Sequence, residues 1–258
     1  MFTRAIIRPP AANFAEGLTT VDLGVPDYQR TLEQHERYCA ALEQCGLTLT
    51  RLEADARYPD STFVEDTAIL TERCAILTRP GAESRAGEVE AMREVLAAFY
   101  PTLSAIVAPG TVDGGDICEA GEHFFIGLSE RTNEAGAEQL SRLLTEAGYT
   151  SSCVDIRGVN LPGLLHLKSG LSYLGDNRLV VVDELAAHEA FQGYDLVRVL
   201  PEEFYAANCV RVNDTVFLAA GYPLFEETVR RLGYRTIALE MSEFRKMDGG
   251  LSCLSLRL

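Results

Sequence analysis

Short runs of Val, Ile, Leu and Phe alternate with polar turns along this chain, and the same arrangement returns several times, each return predicting a β-hairpin. The first hairpin comprises Glu65 to Leu70, a turn at Thr71 to Arg73, and Cys74 to Thr78. The second joins Asp116–Glu119 to His123–Gly127, the third Ser169–Leu174 to Arg178–Val182, and the fourth Asn208–Val212 to Thr215–Ala219. A fifth forms if Leu251–Leu256 pairs with Thr3–Arg8, which would join the two chain ends and hide both sheet edges. Between hairpins, helical periodicity marks Tyr28–Cys45, Glu83–Phe99, Asn133–Ala147 and Leu224–Leu232. Short strands follow, such as Leu47–Leu52, Ala105–Val107 and Arg235–Leu239. The unit is strand, strand, helix, strand, repeated about five times with uneven spacing, as expected for a structural repeat whose sequence has drifted. No Pro/Gly/Ser linker interrupts it, so the expectation is one α/β domain spanning residues 1–258.

Composition narrows the function classes. An apolar fraction of 47% supplies a full core without disulfide or metal staples. Seven cysteines at irregular spacing, with no CxxC pair, fit neither a secreted disulfide framework nor a zinc site, and a reducing cytoplasm is the expected compartment. No 18-residue apolar run or signal-like N-terminus occurs. A formal charge of −15 disfavours nucleic acid and anionic membrane as partners and suits a small cationic substrate.

The chemistry-bearing residues gather where the hairpins open. Glu65 and Asp66, Asp113 to Asp116, His166 and Lys168, Asn208 and Cys209, and Ser252 and Cys253 hold equivalent positions, and a ring of repeats would turn them toward one cavity. Cys253 follows Asp248-Gly249-Gly250, where backbone or ligand can approach closely, and reads as a nucleophile. Its rival Cys209 is flanked by apolar strand and reads as packing, as do Cys39, Cys45, Cys74, Cys118 and Cys153. His166 sits in the apolar run Leu164-Leu165-His166-Leu167 and needs a hydrogen-bond partner or a chemical role. His35, His123 and His188 read as surface residues. The carboxylates of Asp60, Glu65 and Asp66 could select a cation, while Arg85 and Arg131 precede helices, where a cation opposes the macrodipole and could serve an anion.

Taken together, these strings resemble the dimethylarginine dimethylaminohydrolases of the guanidine-modifying pentein superfamily. The resemblance rests on Pro59-Asp60-Ser61 with Phe63-Val64-Glu65-Asp66, on Thr78-Arg79-Pro80-Gly81-Ala82 through Arg85, and on Asp113-Gly114-Gly115-Asp116. Arg131-Thr132-Asn133, Leu165-His166-Leu167-Lys168, Ala206-Ala207-Asn208-Cys209 and Asp248-Gly249-Gly250 through Cys253 complete it. It implies a five-bladed pseudo-symmetric α/β propeller of ββαβ units around a central site. It also implies Cys253 as nucleophile, His166 as general acid and base, and Asp113 as the carboxylate that grips a guanidinium. Asp66 and Glu65 resemble further acids of that site and Asp60 a polar substrate contact. Arg85 and Arg131 resemble the pair that receives an amino acid's carboxylate, and Leu18 and Met247 match positions whose carbonyls hold its amino group. The stretch from Arg157 to Gly163 departs most from the pattern.

The implied reaction hydrolyses N-omega-methylated arginine to citrulline and methylamine or dimethylamine through a cysteine thiouronium, with no metal or organic cofactor. Arginine deimination is the nearest rival, though such relatives usually carry a helical insertion absent here. Agmatine would leave Arg85 and Arg131 without a carboxylate. A non-catalytic pentein binding factor is the reading from another class. Exposed blade edges leave room for a homodimer.

Overall fold

A computed structural model describes residues 1–258 and resolves them into five three-stranded sheets of one design. In each, an antiparallel hairpin is extended by a third strand that runs parallel to the hairpin's second strand. The sheets comprise Ala68–Leu70, Ala75–Leu77 and Leu103–Ala105; Ile117–Ala120, His123–Leu128 and Thr150–Asp155; Leu171–Gly175, Arg178–Val182 and Asp195–Val199; and Val210–Val212, Thr215–Ala219 and Arg235–Leu239. In the fifth, Arg4–Ile7 lies between Leu256–Arg257, antiparallel, and Thr48–Arg51, parallel. The chain ends therefore meet within one sheet, with Ala5 opposite Arg257 and Ile6 opposite Leu256. The pairing is shorter than Leu251–Leu256 with Thr3–Arg8, because residues 252–254 form a 3₁₀ turn before the strand begins.

The crossover helices are Tyr28–Gln44, Glu88–Leu96, Glu134–Glu146 and Pro223–Arg231. Asp27 and Asn133 cap the two longest by accepting the backbone N–H of Arg30 and Gly136. The expected helix over residues 83–99 is broken into a 3₁₀ turn, Glu83–Arg85, and the α-helix from Glu88. At the break Gly87 packs so closely on Tyr58 that a Cβ would meet the phenol. The unit from Leu171 to Val199 crosses over through the 3₁₀ turn Glu189–Phe191 instead of an α-helix. Central strands such as Thr215–Ala219 are buried along their whole length, which accounts for their unbroken apolar runs. The tips carry residues that tolerate positive φ, Gly175-Asp176-Asn177 and Asn213 among them.

The polar residues do not occupy the first positions of the opening strands. They lie on or next to 3₁₀ turns just before them, Val64–Thr67, Gly114–Asp116, Leu167–Ser169, Pro201–Ala207 and Ser252–Leu254, with Asp113 and His166 leading into their turns and Asn208 and Cys209 following theirs. Backbone bonds tighten these turns, as from Asp116 N–H to Asp113 C=O at 3.0 Å and from Cys253 N–H to Gly250 C=O at 3.2 Å. Turn 64–67 packs on turns 114–116 and 252–254, and turn 167–169 on turns 114–116 and 201–207. Asn208 closes the circle, donating to Ser252 Oγ at 3.0 Å and accepting Ser252 N–H at 3.0 Å. Five local turns thus become one central structure.

Candidate active site

Cys253, half-buried, stands at the end of the segment Asp248-Gly249-Gly250. Both glycines are needed for packing: a Cβ on Gly249 would strike the Phe63 ring, and one on Gly250 the Asn208 amide. Gly250 N–H points at the thiol sulfur from 3.4 Å. Burial pushes the thiol up to about 12, helped by the charges of Glu65 and Asp66 and opposed by Gly250 N–H and Lys168. At neutral pH Cys253 is therefore a thiol.

His166 is 8% exposed, and its Nε2 lies 3.1 Å from Asp113 Oδ2. Burial alone would lower its pKa. The surrounding charge of Asp116, Asp66 and Asp113, with the hydrogen bond to Asp113, outweighs that and raises it to about 9. The imidazole is therefore a cation at neutral pH, with a proton available to donate.

Asp113 is fully buried and absent from the pocket wall. Its Oδ1 accepts Gly81 N–H at 2.7 Å, its Oδ2 faces His166, and Arg131 lies 4.0 Å away. The carboxylate expected to grip a guanidinium stands against the imidazole. The side chain ends at His166 because the 3₁₀ turn and the Gly81 bond turn it inward.

Asp66 does line the pocket. Its oxygens accept Arg85 Nη1 at 2.6 Å and Gly115 N–H at 2.8 Å. Burial disfavours its charge, but Arg85, His166 and these bonds more than compensate and hold it at about 2. Arg85 is largely committed: Glu88 takes Nε and Nη2 at 2.9 and 2.8 Å, and Phe63 C=O takes Nη2 at 3.0 Å. Arg131 contrasts with it. Its side chain is 17% exposed, reaches the same pocket, and makes no side-chain hydrogen bond. Asp60 accepts Leu18 N–H at 3.0 Å and so secures the rim at Leu18, which lines the pocket together with Met247.

Glu65 faces elsewhere. It binds Lys168 Nζ at 2.5 Å and Ser252 Oγ at 2.8 Å, and all three border a separate cavity of about 750 Å³. Consecutive residues, Glu65 and Asp66 or Ser252 and Cys253, thus border different cavities. The sequence reading omitted Phe63, Leu165, Asp248 and Gly249 from the site, although Leu165 adjoins His166 and Asp248 adjoins Met247. Asp248 carried one further signal, a non-glycine residue at φ 56°, and its carboxylate accepts Thr20 N–H at 2.5 Å.

Asp66, Asp113 and His166 present ligand atoms within 4.8 Å of one another. Each is engaged already, Asp66 by Arg85 and the other two by each other, and a protonated imidazole offers no lone pair to a metal. Two other expectations change. His35 is 1% exposed, because it faces the core side of helix Tyr28–Gln44, and Cys153 is exposed on strand Thr150–Asp155. Cys209 is 3% exposed, and burial pushes its thiol up to about 12.

A family model described as arginine deiminase matches residues 56–209. Over its full length the chain is 48% identical to the N(G),N(G)-dimethylarginine dimethylaminohydrolase of Pseudomonas aeruginosa, covering 100% of both proteins. It is 32% identical to the protein of the same name from Streptomyces coelicolor, covering 99% of this chain and 96% of that one. The crystal structure of a cysteine-to-serine variant of the Pseudomonas aeruginosa enzyme, complexed with citrulline, superposes with a TM-score of 0.96 at 47% identity over 100% of both chains.

Proposed function

This chain belongs to the dimethylarginine dimethylaminohydrolase family, and from that premise we propose that it hydrolyses N-omega-methylated arginine to citrulline and an alkylamine, with Cys253 as nucleophile. The observation that carries the reading is one pocket with Cys253, cationic His166 and ionised Asp66 together, and on its wall the Arg131 guanidinium, which makes no side-chain hydrogen bond.

A guanidinium resists attack because resonance spreads its charge, so orientation and electrostatics must supply what reactivity lacks. Asp66 and Asp60 receive the substrate's cationic group, and Arg131 receives its α-carboxylate with the donor capacity that Arg85 retains. Backbone carbonyls at Leu18 and Met247 are suited to the amino group. The bound cation favours the Cys253 thiolate, whose proton leaves to water, and sulfur adds to the guanidinium carbon. His166, already protonated, gives its proton to the departing nitrogen as the C–N bond breaks. The neutral imidazole then takes one proton from water as its oxygen adds to the thiouronium carbon, and cleavage of the C–S bond, with the remaining hydroxyl proton lost to solvent, leaves citrulline and regenerates the thiolate. Asp113 serves this cycle by orienting His166, while Glu65 with Lys168 and Ser252 supports the thiol's turn.

Arginine itself is the second reading, favoured by the family model over residues 56–209. Residues 1–258 act as one catalytic domain, since the sheet that joins both chain ends also bounds the turn of Cys253. Seven unpaired thiols support a reducing, cytoplasmic setting, and no helix is long and apolar enough to cross a membrane. Light scattering tests the homodimer for which the blade edges leave room.

Citrulline release from asymmetric dimethylarginine, monomethylarginine and arginine, measured in parallel with wild type and Cys253→Ser, tests the assignment. Methylarginine turnover lost in the variant is the expected result. Turnover of arginine alone would move the chain to the deiminases, and no citrulline from any of the three would return it to a binding role.

A further inference from the structure

Asp116 borders no substrate pocket, yet it is fully buried at the junction of three segments that carry pocket chemistry. Its Oδ2 accepts the hydroxyls of Ser129 and Thr132, both at 2.7 Å, and its Oδ1 accepts the backbone N–H of Leu167 at 3.0 Å. Leu167 directly follows His166. Ser129 and Thr132 enclose Arg131, and Ser129 Oγ also accepts Arg131 N–H at 3.0 Å and Thr132 N–H at 3.1 Å. Thr132 Oγ1 in turn accepts Asp113 N–H at 3.1 Å.

We propose that Asp116 is the positioning residue of this site, its one carboxylate tying the turn of Asp113, the loop of Arg131 and the turn of His166 into a single unit. The bonds are charge-assisted and fully shielded from water, which makes them stronger than neutral ones and costly to leave unmade. The backbone packs closely on the carboxylate at Gly127, where a Cβ would lie 3.0 Å from its Oδ1.

The position has an electrostatic consequence for the reading above, on which the catalytic part of this inference rests. The charges acting on His166 come from Asp116, from Asp113 and from Asp66 across the turns, with Lys168 on its own turn and Arg85 and Arg131 on the pocket wall. Asp116 raises the imidazole through its charge without a hydrogen bond to it, whereas Asp113 acts by both a hydrogen bond and its charge. Burial shifts Asp116 itself up to about 6, so it is ionised over the range in which His166 must stay protonated. Removing the charge lowers the pH at which His166 loses the proton it donates.

Asp116→Asn is the direct test, because the amide nearly preserves shape while removing charge. Two readouts are needed: the His166 imidazole titration followed by NMR in the free protein, assigned with a His166→Gln spectrum, and the pH profile of kcat on asymmetric dimethylarginine. The expected result is a His166 titration at least one unit lower, with the alkaline limb of kcat moving alongside, a loss of roughly tenfold per unit above that limb. An unmoved titration overturns the inference. The NMR readout stands even if methylarginine is not the substrate. If Asp116→Asn does not fold, Thr132→Val should lower kcat roughly tenfold, by analogy with other lost positioning contacts, and Thr132→Ser should restore it. Wild-type kcat in Thr132→Val, or failure of Thr132→Ser to restore a lost one, overturns it equally.

Discussion

His166 and Asp113 share a 3.1 Å contact, Nε2 to Oδ2, between two turns that enter neighbouring sheets and lie 53 residues apart in the chain. The contact joins the group that carries the proton to a carboxylate fully removed from water. Each residue alone had a bland alternative, a core histidine or a turn aspartate. Their pairing is what makes the imidazole a directed acid.

Replacing Asp113 by Asn should therefore act through His166. The expected outcome is a kcat reduced by on the order of 10²- to 10⁴-fold, comparable to losing a general acid or its orienting partner, with KM changed only a few-fold. Steady-state kinetics decide between two roles for this side chain. A large rise in KM with kcat preserved would mean that Asp113 grips the guanidinium, as the family resemblance implied.

Asp66→Asn should separate thiol reactivity from catalysis. The Asp66 charge helps hold the Cys253 thiol up, and the substitution also releases Arg85, so the thiol should ionise more readily. Iodoacetamide labelling of Cys253 at pH 8, followed by peptide mass spectrometry, should become several-fold faster while citrulline formation falls by on the order of 10²-fold. Slower labelling would contradict the electrostatic account.

His35 makes stability sensitive to acid. It is 1% exposed, its Nε2 has no partner, and burial, aided by the charge of Arg51, lowers its pKa to about 4. Against an unfolded value of about 6.5, its stabilising contribution is complete above pH 6.5 and is lost as pH falls toward 4, up to roughly 3 kcal/mol. Thermal unfolding at pH 7, 5 and 4 should show His35→Gln losing less stability on acidification than wild type. Parallel loss in both proteins would refute the assignment.

Gly81 tests the backbone's part in the site. A Cβ there would collide with the Arg131 backbone, and Gly81 N–H holds Asp113 at 2.7 Å. Gly81→Ala should raise KM, lower kcat and reduce stability by about 1–3 kcal/mol, the usual cost of overpacking. Gly158→Ala, where a Cβ meets nothing within 4 Å, is the control and should unfold at the wild-type denaturant midpoint. Equal midpoints and KM values for both variants would mean that the close approach at Gly81 is not needed.

The sequence by itself determined what depends on neighbouring residues. Hairpin tips at Gly175-Asp176-Asn177 and Asn213, the strand Arg235–Leu239, the helix beginning at Tyr28 and the repeated order of elements all follow from local periodicity and turn chemistry. It also placed Cys253, His166 and the acids at equivalent points of the repeat. Only the tertiary structure decided what each faces. Arg85 and Arg131 look alike as sequence, yet Asp66 and Glu88 hold the first in short hydrogen-bonded ion pairs, whereas the second has only Asp113 at 4.0 Å. Glu65 and Asp66 are adjacent acids, yet they border different cavities. His35, read as a surface residue, has a buried ring because helix Tyr28–Gln44 turns that side toward Phe244. Charge state and hydrogen-bond partner depend on groups brought close by ring closure, often from more than 50 residues away as with His166 and Asp113, and no local pattern encodes that proximity.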